Sequence, residues 1–205
     1  TSSYRSNPLK LAEFTLSRKD PGYVGRAKAI QILEEERRRL FGGTKTPEVA
    51  GTDLEPVLIN LVKSGLATQE ELNRLAAETG LGSVIFAIKP GDGSAREQAA
   101  SCQKVLGGWA NIAVEYATKR YRSNLINWGM LPLLISDLAA VNFEVGDYIY
   151  LPEIRQAVIS GAEEVKAYVV NSEGRKEIKL TLANLSSDDR RIILAGCLIN
   201  YYAGK

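Results

Sequence analysis

The sequence predicts an α/β domain, three-layered or barrel-like, and three stretches carry that prediction. Residues 83–100 run from a short apolar segment, Val84 to Ile88, through Pro90, Gly91 and Gly93 into a helix-forming run, Ala95 to Ala100. Trp109 to Val114 is a second strand-like run, a helical stretch follows from about Ala117 to Trp128, and Leu131 to Ile135 is a third apolar run. Strand and helix alternating at this spacing indicate parallel strands joined by right-handed crossovers. Later, Val165 to Val170 and Ile178 to Leu182 flank Asn171-Ser172-Glu173-Gly174, a hairpin connection.

Taken in order, the polar lead-in Ser2 to Asn7 is extended up to Pro8, and Leu9 to Leu16 is a short apolar-patterned element. Asp20-Pro21 is expected to open a helix with proline at its first position, continuing through Ala27, Ile30, Leu33 and Leu40 to Gly42-Gly43. Within it, Glu34-Glu35-Glu36-Arg37-Arg38-Arg39 pairs opposite charges at helical spacing and is expected to be a solvated face. Residues 44–53 read as a linker. Leu54 to Val62 and Thr68 to Thr79 read as helices, with a Thr68/Glu71 capping box and Gly80 at the C-cap. Val145 to Tyr150 turns into a strand. Ser186 caps the last helix, whose packing face is Ile192 to Tyr201. The chain is expected to be one domain over 1–205. Its parts are a helical insertion at about 30–80, an α/β unit at 83–135, and strands with a closing helix at 140–205.

The glycine turn after the first strand has local chemistry of its own. Ser94 is placed to cap the following helix, so free N–H groups and the positive dipole end meet at one point, which suits a phosphate or carboxylate. Arg96 adds a planar two-pronged donor matched to a carboxylate. A plain strand-to-helix turn with a surface arginine accounts for the same residues equally well. The spacing is neither that of a P-loop nor that of a dinucleotide-binding turn. Local chemistry therefore offers an anion site and no reaction.

Composition narrows the field. A net charge of +2, with no basic cluster interleaved with aromatics, argues against a nucleic-acid surface. Cys102 and Cys197 are the only cysteines and there is no histidine, so this chain lacks the ligands for an iron–sulfur cluster or zinc site. Both thiols are expected to be small packers in a reducing compartment. No long apolar span is present, so no membrane partner is expected and the default location is cytoplasmic. The sequence opens at Thr1 rather than methionine, as a fragment of a longer protein would.

Gly91-Asp92-Gly93-Ser94-Ala95-Arg96-Glu97-Gln98-Ala99-Ala100 resembles the Gly-x-Gly-Ser-Ser-Arg-Glu-His-Ala-Ala motif of the aconitase superfamily, in its C-terminal swivelling domain. The resemblance continues through Leu106-Gly107-Gly108 to Asn124-Leu125-Ile126-Asn127-Trp128-Gly129-Met130-Leu131-Pro132-Leu133, which is similar to the family's Asn-Leu-x-x-x-Gly-Leu-Leu-Pro-Leu. Tyr4-Arg5-Ser6-Asn7 with Asp20-Pro21, and Leu194 to Tyr201, resemble further segments of members. These stretches cover about half the chain in the family's order. No counterpart motif matches residues 30–80.

The resemblance implies a swivelling β/β/α fold and a hydro-lyase, a lyase that moves water and a proton between adjacent carbons of a hydroxy di- or tricarboxylate. It implies a [4Fe-4S] cluster held by other domains and none bound by this chain. Ser94 matches the serine that takes the proton as base, and Gly93 and Ala95 beside it are expected to be substrate-binding. Arg96 matches the arginine that grips a substrate carboxylate, and Arg5 is a further substrate-ligand candidate. Ala95 replaces a second serine and Gln98 a histidine, which points to a different or smaller acid, or to weakened activity. The expected partners are the small-molecule substrate and the cluster-bearing domains of the same protein. Two alternatives stand beside this reading: the small subunit of a two-chain dehydratase of the isopropylmalate isomerase kind, and a non-enzymatic binding module on the same fold.

Overall fold

A computed structural model describes residues 4, 6–42, 48–142, 144–182 and 184–204. Six strands form one mixed sheet: β1 (Ser83–Ala87), β2 (Gly108–Ala113), β3 (Leu131–Leu134), β4 (Tyr148–Tyr150), β5 (Glu164–Asn171) and β6 (Gly174–Thr181). Their spatial order is β1-β2-β3-β6-β5-β4. The first three strands are parallel and the remaining pairings antiparallel. Helices α5 (Arg96–Val105) and α6 (Lys119–Asn127) make the two crossovers between the parallel strands. The chain thus adopts the α/β class expected from its alternating pattern, and the β5–β6 hairpin closes at Asn171 and Gly174 as expected.

Side-chain alternation divides the sheet between cores. Ile112, Leu133, Ala167, Val169, Ile178 and Leu180 pack into one cluster with Val158 of α7 (Ile154–Ser160) and with Ile193 and Leu194 of α8 (Ser187–Ala195). The intervening Tyr148, Tyr150, Tyr168 and Val170 face the other way. There they meet Leu58 and Leu61 of α3 (Glu55–Lys63) and Leu72 and Ala76 of α4 (Leu72–Glu78). The helices between residues 30 and 80 therefore cover the outer face of the antiparallel half. Each fully buried leucine there contributes roughly 1.5–3 kcal/mol. On the parallel half, Ala100, Tyr121, Leu125 and Met130 fill the space beneath α5 and α6. Ala12 of α1 (Pro8–Ser17) and Ala27 of α2 (Tyr23–Phe41) pack against Cys102 and Leu106.

Several boundaries differ from the sequence reading for identifiable reasons. Helix α2 starts two residues beyond Pro21, because Asp20 Oδ1 accepts the Gly22 N–H at 2.9 Å and holds a turn ahead of the helix. Gly80 is no left-handed cap: the preceding Thr79 is extended, and a Cβ at Gly80 would come within 2.0 Å of the Trp109 ring. The closing helix breaks at Gly196 (φ +88), leaving α9 (Leu198–Ala203) as a separate turn. That break accompanies a close backbone contact, since a Cβ on Gly129 would lie 1.9 Å from Gly196 O. The capping boxes at Thr68/Glu71 and Ser186/Asp189 both form.

The charged run in α2 is not a simple solvated face. Glu34 is buried and receives Arg37 Nε and Arg38 Nε, each at 2.7 Å, and the Leu81 N–H at 2.9 Å. Arg37 Nη1 also donates to the last-turn carbonyls Ala76 O and Ala77 O of α4, at 3.0 and 3.2 Å. One carboxylate thus ties α2 to α4 and to the lead-in of β1. Burial works against its ionisation, but the hydrogen bonds from Arg37, Leu81 and Arg38 outweigh it and hold the Glu34 carboxyl below its ordinary value.

Glu34→Ala leaves the Arg37 charge without its counter-ion and the Leu81 amide without its acceptor, so it should lower unfolding stability by about 3–5 kcal/mol in denaturant titration. Because the folded carboxyl titrates below the unfolded one, its stabilisation is complete above 4.5 and is lost as pH falls through the folded value. Acid sensitivity of the wild type should therefore exceed that of Glu34→Gln over the same range.

Candidate functional site

Parallel strands end together, and in such sheets the loops beyond their carboxyl ends form the ligand-facing edge. Here β1 leads into the turn from Ile88 to Ala95, and β2 leads into residues 114–118. The two loops are laced together by backbone: Val114 N and Glu115 N donate to Ile88 O at 3.2 and 3.1 Å, and Ala117 N donates to Pro90 O at 2.9 Å. Lys89 Nζ meets Glu115 Oε1 at 2.5 Å across the same gap.

Gly91 is the centre of this lacing. Its carbonyl oxygen accepts Thr118 Oγ1–H at 3.0 Å and Arg96 Nε–H at 3.1 Å. Its φ of +97 suits glycine, and a Cβ would sit 2.4 Å from Tyr121 Cβ. Thr118 Oγ1 also accepts the Tyr121 N–H at 3.2 Å, capping α6. A single threonine therefore joins the motif turn to the next helix. Sequence reasoning missed it, although threonine just ahead of Lys119 is a start signal for a helix.

Each expected site residue has a definite place. Ser94, Gly93 and Ala95 are exposed at the tip of the turn. Ser94 does not cap α5: the N-cap position is Ala95, which offers no side-chain acceptor. The N-cap residue itself therefore supplies no side-chain acceptor to the start of α5. A Cβ at Gly93 would meet nothing among the described residues within 4 Å. Arg96 is half-buried, its Nε engaged by Gly91 O, and among the described residues its Nη groups have no partner. Arg5 lies outside the described residues.

The flanking residues bind the motif to its supports. Trp128 Nε1–H donates to Glu97 Oε1 at 2.6 Å. With the Asn124 amide oriented to satisfy both groups, its Nδ2 lies 3.2 Å from Glu97 Oε2 and its Oδ1 accepts the Glu97 N–H at 3.0 Å. The two motif stretches recognised in the sequence therefore touch. Gln98, where the motif it resembles has histidine, donates through Nε2 to Thr15 Oγ1 at 3.1 Å and docks α1. Tyr116 OH lies 3.1 Å from Leu133 O and 3.3 Å from Asn111 O, and burial pushes its phenol well above the usual range. It stays a neutral donor.

The donor set does not fit an iron–sulfur cluster. There are two cysteines and no histidine. Cys102 is buried, and among the described residues no group of three or more His, Cys, Asp or Glu could hold a metal ion. No helix of the described residues is long and apolar enough to cross a membrane.

Gly91→Ala forces a strained φ and pushes the turn off Tyr121. It should cost about 1–3 kcal/mol in thermal or chemical unfolding, where a surface glycine such as Gly93 should tolerate alanine.

Comparison with known proteins finds similarity across this segment. Residues 76–138 match the family described as the aconitase C-terminal domain. A putative mitochondrial aconitate hydratase of Emericella nidulans is 31% identical over 112 residues, covering 54% of this chain and 14% of that protein. The chain spans a small part of that relative's length. A crystal structure of 3-isopropylmalate dehydratase from Methanocaldococcus jannaschii is 29% identical, with a TM-score of 0.44, covering 67% of this chain and 71% of that one. The matched segment runs from the end of α4 to beyond β3 and contains every motif residue from Gly91 to Leu133. Residues 76–138 are thus similar to the aconitase C-terminal domain family, in line with the resemblance of the Ser-Arg motif.

Proposed function

We propose that this chain is the substrate-closing C-terminal domain of an aconitase-like hydro-lyase acting on a hydroxy di- or tricarboxylate. The observation that carries the reading is the exposed Ser94–Arg96 turn, braced at Gly91 O by Arg96 and Thr118, within the aconitase C-terminal segment. An exposed tip backed by rigid lacing suits a group presented to a second body. In this reading the cluster-bearing domains, of the same protein or of a separate large subunit, supply the Lewis acid for the substrate hydroxyl. The chain alone has no turnover.

Ser94 Oγ is the base that takes the carbon-bound proton. A serine hydroxyl is weakly basic, so its alkoxide needs stabilisation from Arg96 and from first-turn N–H groups of α5 other than that of Glu97, which Asn124 takes. Arg96 holds one substrate carboxylate through its Nη groups, while its Nε stays on the turn. Each charge-assisted hydrogen bond of that kind contributes roughly 1.5–3 kcal/mol. Gln98 serves as a structural tie to α1, so its departure from histidine does not remove Ser94 or Arg96 from the site.

In the complete enzyme, Ser94→Ala should abolish nearly all turnover while substrate still binds. Arg96→Lys should lower kcat/KM on the order of tenfold to a few hundredfold. Unchanged turnover in Ser94→Ala would remove the serine from the role of base.

A further inference from the structure

Beneath the Gly91 turn lie three buried polar atoms that have no hydrogen-bond partner among the described residues: Asn111 Oδ1, Asn111 Nδ2 and Gln103 Oε1. Asn111 is 1% exposed and Gln103 4% exposed. Asn111 sits in the middle of β2, between Ile85 and Pro132 in register. Its neighbours Ala110 and Ile112 point into the core on the opposite face. Alternation therefore turns Asn111 toward the layer under α5 and α6. Gln103 belongs to α5, and its Nε2 donates to Tyr121 OH on α6 at 2.8 Å. That hydroxyl accepts the bond and keeps its own hydrogen to donate.

An amide buried with both its donor and its acceptor unsatisfied is rare in folded proteins, because desolvation is not offset by any bond. The unfilled set comprises two acceptors, Asn111 Oδ1 and Gln103 Oε1, and two donors, Asn111 Nδ2 and Tyr121 OH. A cation is disfavoured by the two donors, and an anion by the two carbonyl oxygens. Water matches both, donating twice and accepting twice, which is the usual complement of a buried structural water. We infer that Asn111, Gln103 and Tyr121 enclose a buried water site between β2 and helices α5 and α6. Gly91 packs on the Cβ–Cγ end of Tyr121, and the water site lies at the hydroxyl end of the same side chain. This assignment does not depend on the hydro-lyase reading.

A crystal structure of the protein at a resolution that orders interior waters tests it. The expected result is a water within hydrogen-bond distance of both Gln103 Oε1 and the Asn111 amide. Direct pairing of the two amides, or a site without density, overturns the assignment. Thermal unfolding of Asn111→Leu gives a second reading. If water bridges the amides, leucine expels it and strands Gln103 Oε1, lowering Tm by roughly 2–10 °C. An unchanged or raised Tm would mark a dry amide that leucine relieves, and would overturn the proposal. Should Asn111→Leu fail to fold, the wild-type crystal structure alone decides.

Discussion

Two donors meet on the carbonyl oxygen of Gly91, and most of the site follows from that meeting. Thr118 reaches it from the start of α6 and Arg96 from the start of α5. The turn after β1 is therefore fixed by the crossover helices on both sides of it, not by its own residues alone. Gly91 can occupy that position because it has no Cβ to strike Tyr121. The consequence is a rigid base under an exposed tip. Ser94 projects where this chain does not cover it, while Arg96 has one nitrogen committed to the turn and the others free among the described residues. A group that must act on a molecule held by another body needs both properties.

A second constraint acts further from the tip. The buried Glu34 carboxylate gathers α2, α4 and the backbone leading into β1. Through it, the helices on the outer face of the antiparallel half are joined to the strand that feeds the motif. Desolvating a carboxylate is costly, and only the four donors converging on it from Arg37, Arg38 and Leu81 make the arrangement favourable. Residues between 30 and 80 thus appear in the structure as part of one cored body, with Tyr148, Tyr150 and Tyr168 as their packing partners on the sheet.

What was legible in the sequence was local. The strand–turn–helix at 83–105, the hairpin at Asn171–Gly174, the Thr68/Glu71 capping box and the Ser186 cap depend on residues within a few positions of one another, so spacing and residue type reveal them. The motif turn itself was legible through resemblance, and the family match covers it. What was not legible depends on distant partners. Glu34 looks like one of six solvated charges until Leu81 arrives 47 residues later. Gly80 looks like a helix cap until Trp109 packs on it. Helix α7 announces itself poorly, because its N-cap Glu153 takes a left-handed conformation with no side-chain cap. Ser94 resembles a cap one residue too early, and the true N-cap, Ala95, has no chemistry to show. The strand order, with β6 inserted beside β3, follows from pairing across the whole chain and has no local signature.

The proposed closing of this domain over a substrate held by a cluster-bearing body is tested most directly by the size and iron content of the native polypeptide carrying this segment, isolated with an antibody raised to the domain. The expected result is a polypeptide several times larger than 22.4 kDa that co-purifies with iron, or one of this size bound to an iron-bearing subunit. A free polypeptide of this size, without iron and without an iron-bearing partner, would contradict it.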